Sequence, residues 1–262
     1  MNLGLRGRNA LVLGASQGLG LGVARALLDE GARVAISSRS RDSLEAVRSS
    51  LSDEQRDRCF IIPADLGAED AARLLADTAR QELGQVDILV NNSGGPPTGL
   101  PSAISMVDVE AQFTKMVTPL MGLTLALVPA MRERGWGRVL TIASSGVIQP
   151  IPHLPISNSL RSALVGFMKT LAGEVAHDGV TVNILAPGRI ATDRTRSIDA
   201  AAAARAGKSE DDIARKSAAT IPAGRYGTPE EFGAVATFLA GAPASYVTGS
   251  IIRVDGGAIR SI

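Results

Sequence analysis

The sequence predicts one doubly wound α/β domain, a mostly parallel sheet with helices on both faces. Three observations carry this expectation. Short apolar runs alternate with segments of helical periodicity along the whole chain. No Pro/Gly/Ser-rich linker, repeat or low-complexity block interrupts residues 1–262, so they read as a single domain. Apolar residues reach 45% while aromatics are only 3%, which requires an aliphatic core of Leu, Val, Ile and Ala.

The first apolar run, 9–13, ends in glycine as a buried parallel strand does, and helical periodicity follows over 19–28. Gly31 stops that helix before a second strand at 33–37. A helix at 41–51, a strand at 59–62 and a helix at 69–83 continue the alternation. Next come a strand at 86–90, a long helix over 107–134 and a strand at 138–142. A helix at 157–176 and a strand at 181–185 form a further unit, and a helix at 229–240 and a strand at 250–254 close the chain. Strands separated by helices require crossover connections, hence parallel pairing and a sheet covered on both faces. In such sheets ligands bind at the carboxyl ends of the strands, where the strand order reverses.

A net charge of +1 leaves no electrostatic footprint for nucleic acid or an anionic membrane. Cys59 is the only cysteine, so no internal disulfide forms and a reducing, cytoplasmic setting is expected. Residues 1–8 carry two arginines and no apolar core of a signal peptide. The longest uncharged run, 116–131, is too short for a bilayer and holds two prolines, so it reads as a buried helix. No metal site is expected.

Gly14-Ala15-Ser16-Gln17-Gly18-Leu19-Gly20 follows the first strand and opens the first helix. Glycines there let the backbone approach a pyrophosphate at the helix N-terminus, a Rossmann-type arrangement. Gly14, Ser16, Gln17, Gly18, Leu19 and Gly20 are therefore candidate dinucleotide contacts. The spacing G-x-x-x-G-x-G resembles the short-chain dehydrogenase/reductase family, and the resemblance extends along almost the whole chain. Asp65-Leu66 stands where that family contacts adenine. Asn91-Asn92-Ser93-Gly94 is similar to its N-N-A-G motif, and Pro187-Gly188-Arg189-Ile190-Ala191-Thr192 to its P-G-x-I-x-T segment beside the nicotinamide. Thr248-Gly249 and Val254-Asp255-Gly256-Gly257 match its C-terminal strand signature, and the 3-oxoacyl-carrier-protein reductases are the members most alike. The resemblance implies cofactor contacts at Asp65, Leu66, Asn91, Ser93, Gly94, Pro187, Gly188, Ile190 and Thr192.

At the end of the second strand, NAD-binding members carry an acidic residue for the ribose 2′-hydroxyl. This chain has Ser37-Ser38-Arg39-Ser40 instead. Ser38 and Arg39 suit a 2′-phosphate, so NADP(H) is expected over NAD(H).

The catalytic positions depart from the family. Its reductases use Ser, Tyr and Lys, with Tyr and Lys one turn apart on a helix and a supporting Asn on the preceding long helix. Here Ser144 fills the Ser position, but Ser157 takes that of Tyr, Arg161 that of Lys and Met116 that of Asn. Ala163-Leu164-Val165-Gly166 and Leu171-Ala172 fix this register. The two tyrosines, Tyr226 and Tyr246, lie far downstream. Tyrosine titrates near ~10 and is tunable, whereas an aliphatic hydroxyl lies nearer the ~15.7 of water. Ser157 is therefore a poor general acid, and losing a positioned acid costs roughly 10²–10⁴-fold. Arg161 cannot relay a proton, but its fork can hold ribose hydroxyls. Pro119, a turn after Met116, is expected to kink the long helix.

His153, between the two serine positions, is a candidate proton donor at neutral pH. Asn92, Ser93 and Ser159 are candidates for binding a substrate oxygen, and His177 reads as structural. Residues 192–222 resemble the family's substrate lid, with helical stretches at 200–204 and 213–219 on either side of Gly207. Arg189, Arg194 and Arg196 at its entrance suit a small-molecule substrate that is anionic or carrier-linked. Homo-oligomerisation, a tetramer by the resemblance, is expected through 116–131 and the last strand. Three functions fit this pattern: an NADP(H)-dependent oxidoreductase on a carbonyl or alcohol, a lyase or isomerase reusing the pocket, and a catalytically silent dinucleotide sensor or assembly protein.

Overall fold

A computed structural model describes residues 1–261. β1 (Asn9–Leu13), α1 (Gly18–Asp29), β2 (Arg33–Ser38), α2 (Arg41–Ser49), α3 (Asp53–Arg56), β3 (Cys59–Pro63) and α4 (Ala71–Leu83) form the first half. β4 (Ile88–Asn91), α5 (Met106–Met116), α6 (Thr118–Glu133), β5 (Gly137–Ile142), α7 (Pro155–Val175) and β6 (Val180–Pro187) follow. α8 (Asp193–Ala206), α9 (Glu210–Ala219), α10 (Pro229–Ala240) and β7 (Ile251–Val254) complete the order. The strands form one seven-stranded sheet, β3-β2-β1-β4-β5-β6-β7, with every pair parallel. The order reverses between β1 and β4, which opens a crevice at their carboxyl ends.

Alternation of side chains across the strands builds two cores. On β1, Leu11 and Leu13 join a layer with Leu75, Leu123, Leu127 and Leu164 from α4, α6 and α7. Ala10 and Val12 face the other way, toward Val23, Leu27, Phe232 and Ala236 of α1 and α10. On that second face two helices meet main chain to main chain. A Cβ at Gly22 would collide with the carbonyl of Pro229, and one at Gly233 with the carbonyl of Gly22. No layer of side chains separates α1 from α10 at this point.

The long helix expected over 107–134 divides into α5 and α6 at Val117, which stays in the right-handed helical region at a φ of −114° and ψ of −60°. Pro119 falls in the first turn of α6, where a missing N–H costs nothing, so the chain restarts there rather than merely bending. Leu120, Leu123, Leu127 and Met131 of the uncharged run are buried in the first core. α3 has no counterpart in the expected pattern; it is a single turn closed by a Ser52/Gln55 capping box. The fourth strand starts at Ile88 rather than 86, and the Asp87 carboxylate just before it accepts from the Asn9 N–H at 3.0 Å. Within 192–222, the two expected helical stretches lie in α8 and α9, and Gly207 caps α8 with a left-handed φ of 62°.

Candidate active site

The glycine turn sits at the mouth of the crevice. Gly18 takes a left-handed φ of 58° to enter α1, and a Cβ at Gly20 would run into the Gly14 carbonyl. Gln17, the N-cap of α1, makes no side-chain cap bond, so the first amides of the helix stay open to an anion. These amides and the space a Cβ would fill fit a dinucleotide pyrophosphate. Across the crevice, Asn92 Nδ2 donates to the Gly14 carbonyl at 3.3 Å and ties the turn to the end of β4.

The crevice continues past β2, where Ser38 Oγ lies 3.5 Å from the Ser40 carbonyl. Arg39 beyond it is exposed and forms no ion pair among the described residues. Asp65 is exposed after β3, with one carboxylate oxygen accepting from the Gly67 N–H at 2.9 Å and Leu66 half-buried beside it. On the opposite wall, Gly188 N–H donates to Val254 O at 2.9 Å, Ile190 is buried and Thr192 Oγ1 accepts from the Thr195 N–H to start α8. The Thr192 methyl lies 3.5 Å from where a Gly18 Cβ would be, so the start of α8 and the glycine turn face each other.

Asn91 needs correction as a cofactor contact. It is 0% exposed, and its Nδ2 donates to Thr124 Oγ1 at 2.8 Å, inside the first core. No ligand reaches a residue without accessible surface. Alternation along β4 places the neighbouring Asn92 on the crevice instead, and the doubled asparagine was the signal for it. Ser93 is buried with its Oγ unpartnered, and Gly94 is exposed.

The catalytic candidates converge around the ends of β4 and β5. Ser144 Oγ accepts from the Gly146 N–H at 3.0 Å. Ser157 and Arg161 lie on one buried face of α7, and Met116 is buried at the α5–α6 break. Ser157 makes no hydrogen bond among the described residues, whereas Arg161 Nη1 donates to Ile142 O at 2.8 Å and Nη2 to Ser93 O at 3.4 Å. The fork expected to hold ribose thus braces β4 against β5, and ribose would have to compete with two carbonyls. Burial pushes the Arg161 pKa down to about 10, and the charge of Arg194 pushes it the same way. It remains a cation at neutral pH.

His153 sits before α7 with a left-handed φ of 61°, a strained conformation for a residue with a side chain. Its carbonyl accepts from the Gly99 N–H at 2.9 Å, so the strained loop leans on the segment after β4. Ser159 is exposed, and His177 pairs with Asp178 at 3.1 Å. Tyr226 donates its hydroxyl to Asp199 at 2.9 Å, and Tyr246 is fully exposed. Around the start of α8, Arg189 pairs with Asp199 at 2.5 Å and Arg196 with Asp193. Arg194 alone of the three crosses the cleft, donating to Pro96 O at 2.6 Å.

A family model described as Enoyl-(Acyl carrier protein) reductase matches residues 14–258. The chain is a short-chain dehydrogenase/reductase. It is 32% identical to the 3-oxoacyl-acyl-carrier-protein reductase FabG of Salmonella typhimurium, over 97% of this chain and 98% of that one. The NADPH-dependent reductase BacG of Bacillus subtilis is 30% identical, over 97% and 99%. L-sorbose reductase from Gluconobacter frateurii, solved with NADPH and L-sorbose, superposes with a TM-score of 0.93 at 30% identity over 100% of both chains. The seven-stranded parallel sheet is the fold of this short-chain dehydrogenase/reductase neighbour.

Proposed function

We propose that this chain is an NADP(H)-dependent oxidoreductase of a carbonyl or alcohol substrate, with proton handling unlike that of a tyrosine-based site. The exposed, unpaired Arg39 at the end of β2, where no carboxylate stands, is the observation that carries the cofactor choice. The NADPH named for BacG and for the sorbose reductase points the same way.

The open amides of α1 would hold the pyrophosphate, Arg39 and Ser38 the 2′-phosphate, and Asp65 and Leu66 the adenine. Pro187, Gly188, Ile190 and Thr192 would wall the nicotinamide, which supplies or accepts hydride when bound. Ser144 and Ser157 offer hydroxyls to a substrate oxygen. Arg161, fixed beneath them by its two carbonyl bonds, favours negative charge developing there. Neither serine is a good acid at neutral pH, so the proton comes from water or from His153 Nδ1 or Nε2.

Neutral ketones are expected to turn over weakly. We also place the protein in the cytoplasm as a homotetramer. The test is NADPH titration by fluorescence, followed by oxidation with a panel of aldehydes and ketones. Tight NADPH binding without oxidation by any carbonyl compound would overturn the oxidoreductase reading.

A further inference from the structure

Among the cations around the cleft, two stand without acids. Arg189 and Arg196 engage Asp199 and Asp193, the two carboxylates of α8. Arg161 and Arg194 instead bond only to main-chain carbonyls on one loop, those of Ser93 and Pro96, with Arg161 also on Ile142. Among the described residues neither forms an ion pair. Arg161 is 8% exposed and Arg194 half-buried.

Carbonyl bonds satisfy geometry but do not neutralise charge, and two neighbouring guanidiniums with little water repel each other. Burial lowers the affinity of both for their protons, and Arg194 adds to the effect on Arg161. Arg161 Nε and the Nε and Nη1 of Arg194 make no hydrogen bond yet are not among the sealed, unpartnered atoms, so these groups keep some accessible surface. Ser157 stands one turn before Arg161 on the same buried face. A Cβ at Gly95 would lie 2.9 Å from Arg194 Nε and Nη2, so the loop has the residue that lets this guanidinium settle on it.

We propose that Arg194 and Arg161 form a carboxylate clamp, Arg194 gripping the anion directly and Arg161 supplying charge from beneath. The substrate is then an oxo acid or its hydroxy-acid counterpart rather than a neutral ketone. This rests on the oxidoreductase reading for the reaction, though not for the binding. In the reducing direction hydride from NADPH adds to the carbonyl carbon and a proton from water to its oxygen, giving the hydroxy acid and NADP⁺. The carboxylate stays bound to arginine throughout and undergoes no change.

Acetoacetate and its neutral methyl ester are the probes, titrated by calorimetry at fixed ionic strength with NADPH saturating and with inorganic phosphate as a further anion. Acetoacetate should bind at least tenfold more tightly than the ester, and Arg194→Gln should remove about tenfold or more of that affinity, as for a charge-assisted bond. Arg194→Lys should retain part of it. Arg194→Glu should abolish acetoacetate binding yet raise the melting temperature by pairing with Arg161. Unchanged NADPH affinity in these variants reports correct folding. Equal binding of acid and ester, or no loss in folded Arg194→Gln, overturns the clamp; tighter binding of phosphate than of acetoacetate overturns its carboxylate assignment. Acetoacetate binding without NADPH oxidation leaves the clamp standing and counts against the oxidoreductase reading. Oxidation by the ester alone does the reverse.

Discussion

Replacing Arg39 by alanine separates the two nicotinamide cofactors. Arg39 is exposed and unpaired, so its contact with a 2′-phosphate would be made in water rather than in the protein interior. At a separation of about 4 Å in water each pair of unit charges is worth about 1 kcal/mol. A phosphate monoester carries about 1.5 to 2 negative charges at neutral pH, which gives about 1.5–2 kcal/mol. At about 1.4 kcal/mol per factor of ten, Arg39→Ala should weaken NADPH binding roughly 10- to 30-fold. NADH, with a hydroxyl in place of the phosphate, should bind as before. Fluorescence titration of both cofactors with wild type and variant at low ionic strength measures this directly. Added salt should shrink the difference, because an exposed contact is screened. Equal wild-type affinities for NADPH and NADH, or an equal loss of both in the variant, would refute the reasoning.

Ser157→Ala should change NADPH oxidation little, whereas His153→Ala should lower it about 10²-fold if the histidine donates the proton. Stopped-flow traces collapsing on Ser157→Ala would mean that the serine acts chemically. Glu231, held well below the usual carboxylate range, at about 2, by Arg225 and the Thr228 N–H, should stabilise the fold above its ordinary pKa of 4.5. That contribution should fade as pH falls from 4.5 toward 2, so melting curves of wild type and Glu231→Gln should converge in acid. Exposed Met106, Val107 and Leu125 on α5 and α6, with Tyr246 and Ile251 near the sheet edge, predict self-association. Light scattering showing a monomer at micromolar concentration would contradict it.

Strand and helix order was legible because each strand is a short apolar run and each crossover helix carries its own period. The restart at Pro119 was visible only as a kink, since sequence does not say whether a proline ends one helix or begins the next. α3 was missed because one capped turn has no periodicity to detect. The glycine turn and Arg39 could be read from spacing, as their chemistry depends on backbone and position along one loop. Asn91 was misassigned because the motif names both asparagines and only strand alternation tells which one faces the crevice. Arg161 and Arg194 were each legible as candidates, Arg194 among the cations suited to an anionic substrate, but that both rest on one loop without acids was not legible. Arg161 and Arg194 are distant in sequence, and which lid cations already had acids depended on how α8 folded back onto them.

The glycine contact between α1 and α10 bears on how the cofactor is received. Side-chain layers yield by changing rotamers, but two touching backbones have no such freedom. The amides at the start of α1 are therefore aimed before any dinucleotide arrives, and binding need not order them. Less conformational entropy is then lost on that side of the crevice. If the dinucleotide binds there as proposed, reception of its pyrophosphate is built into the contact of two backbones rather than assembled on arrival.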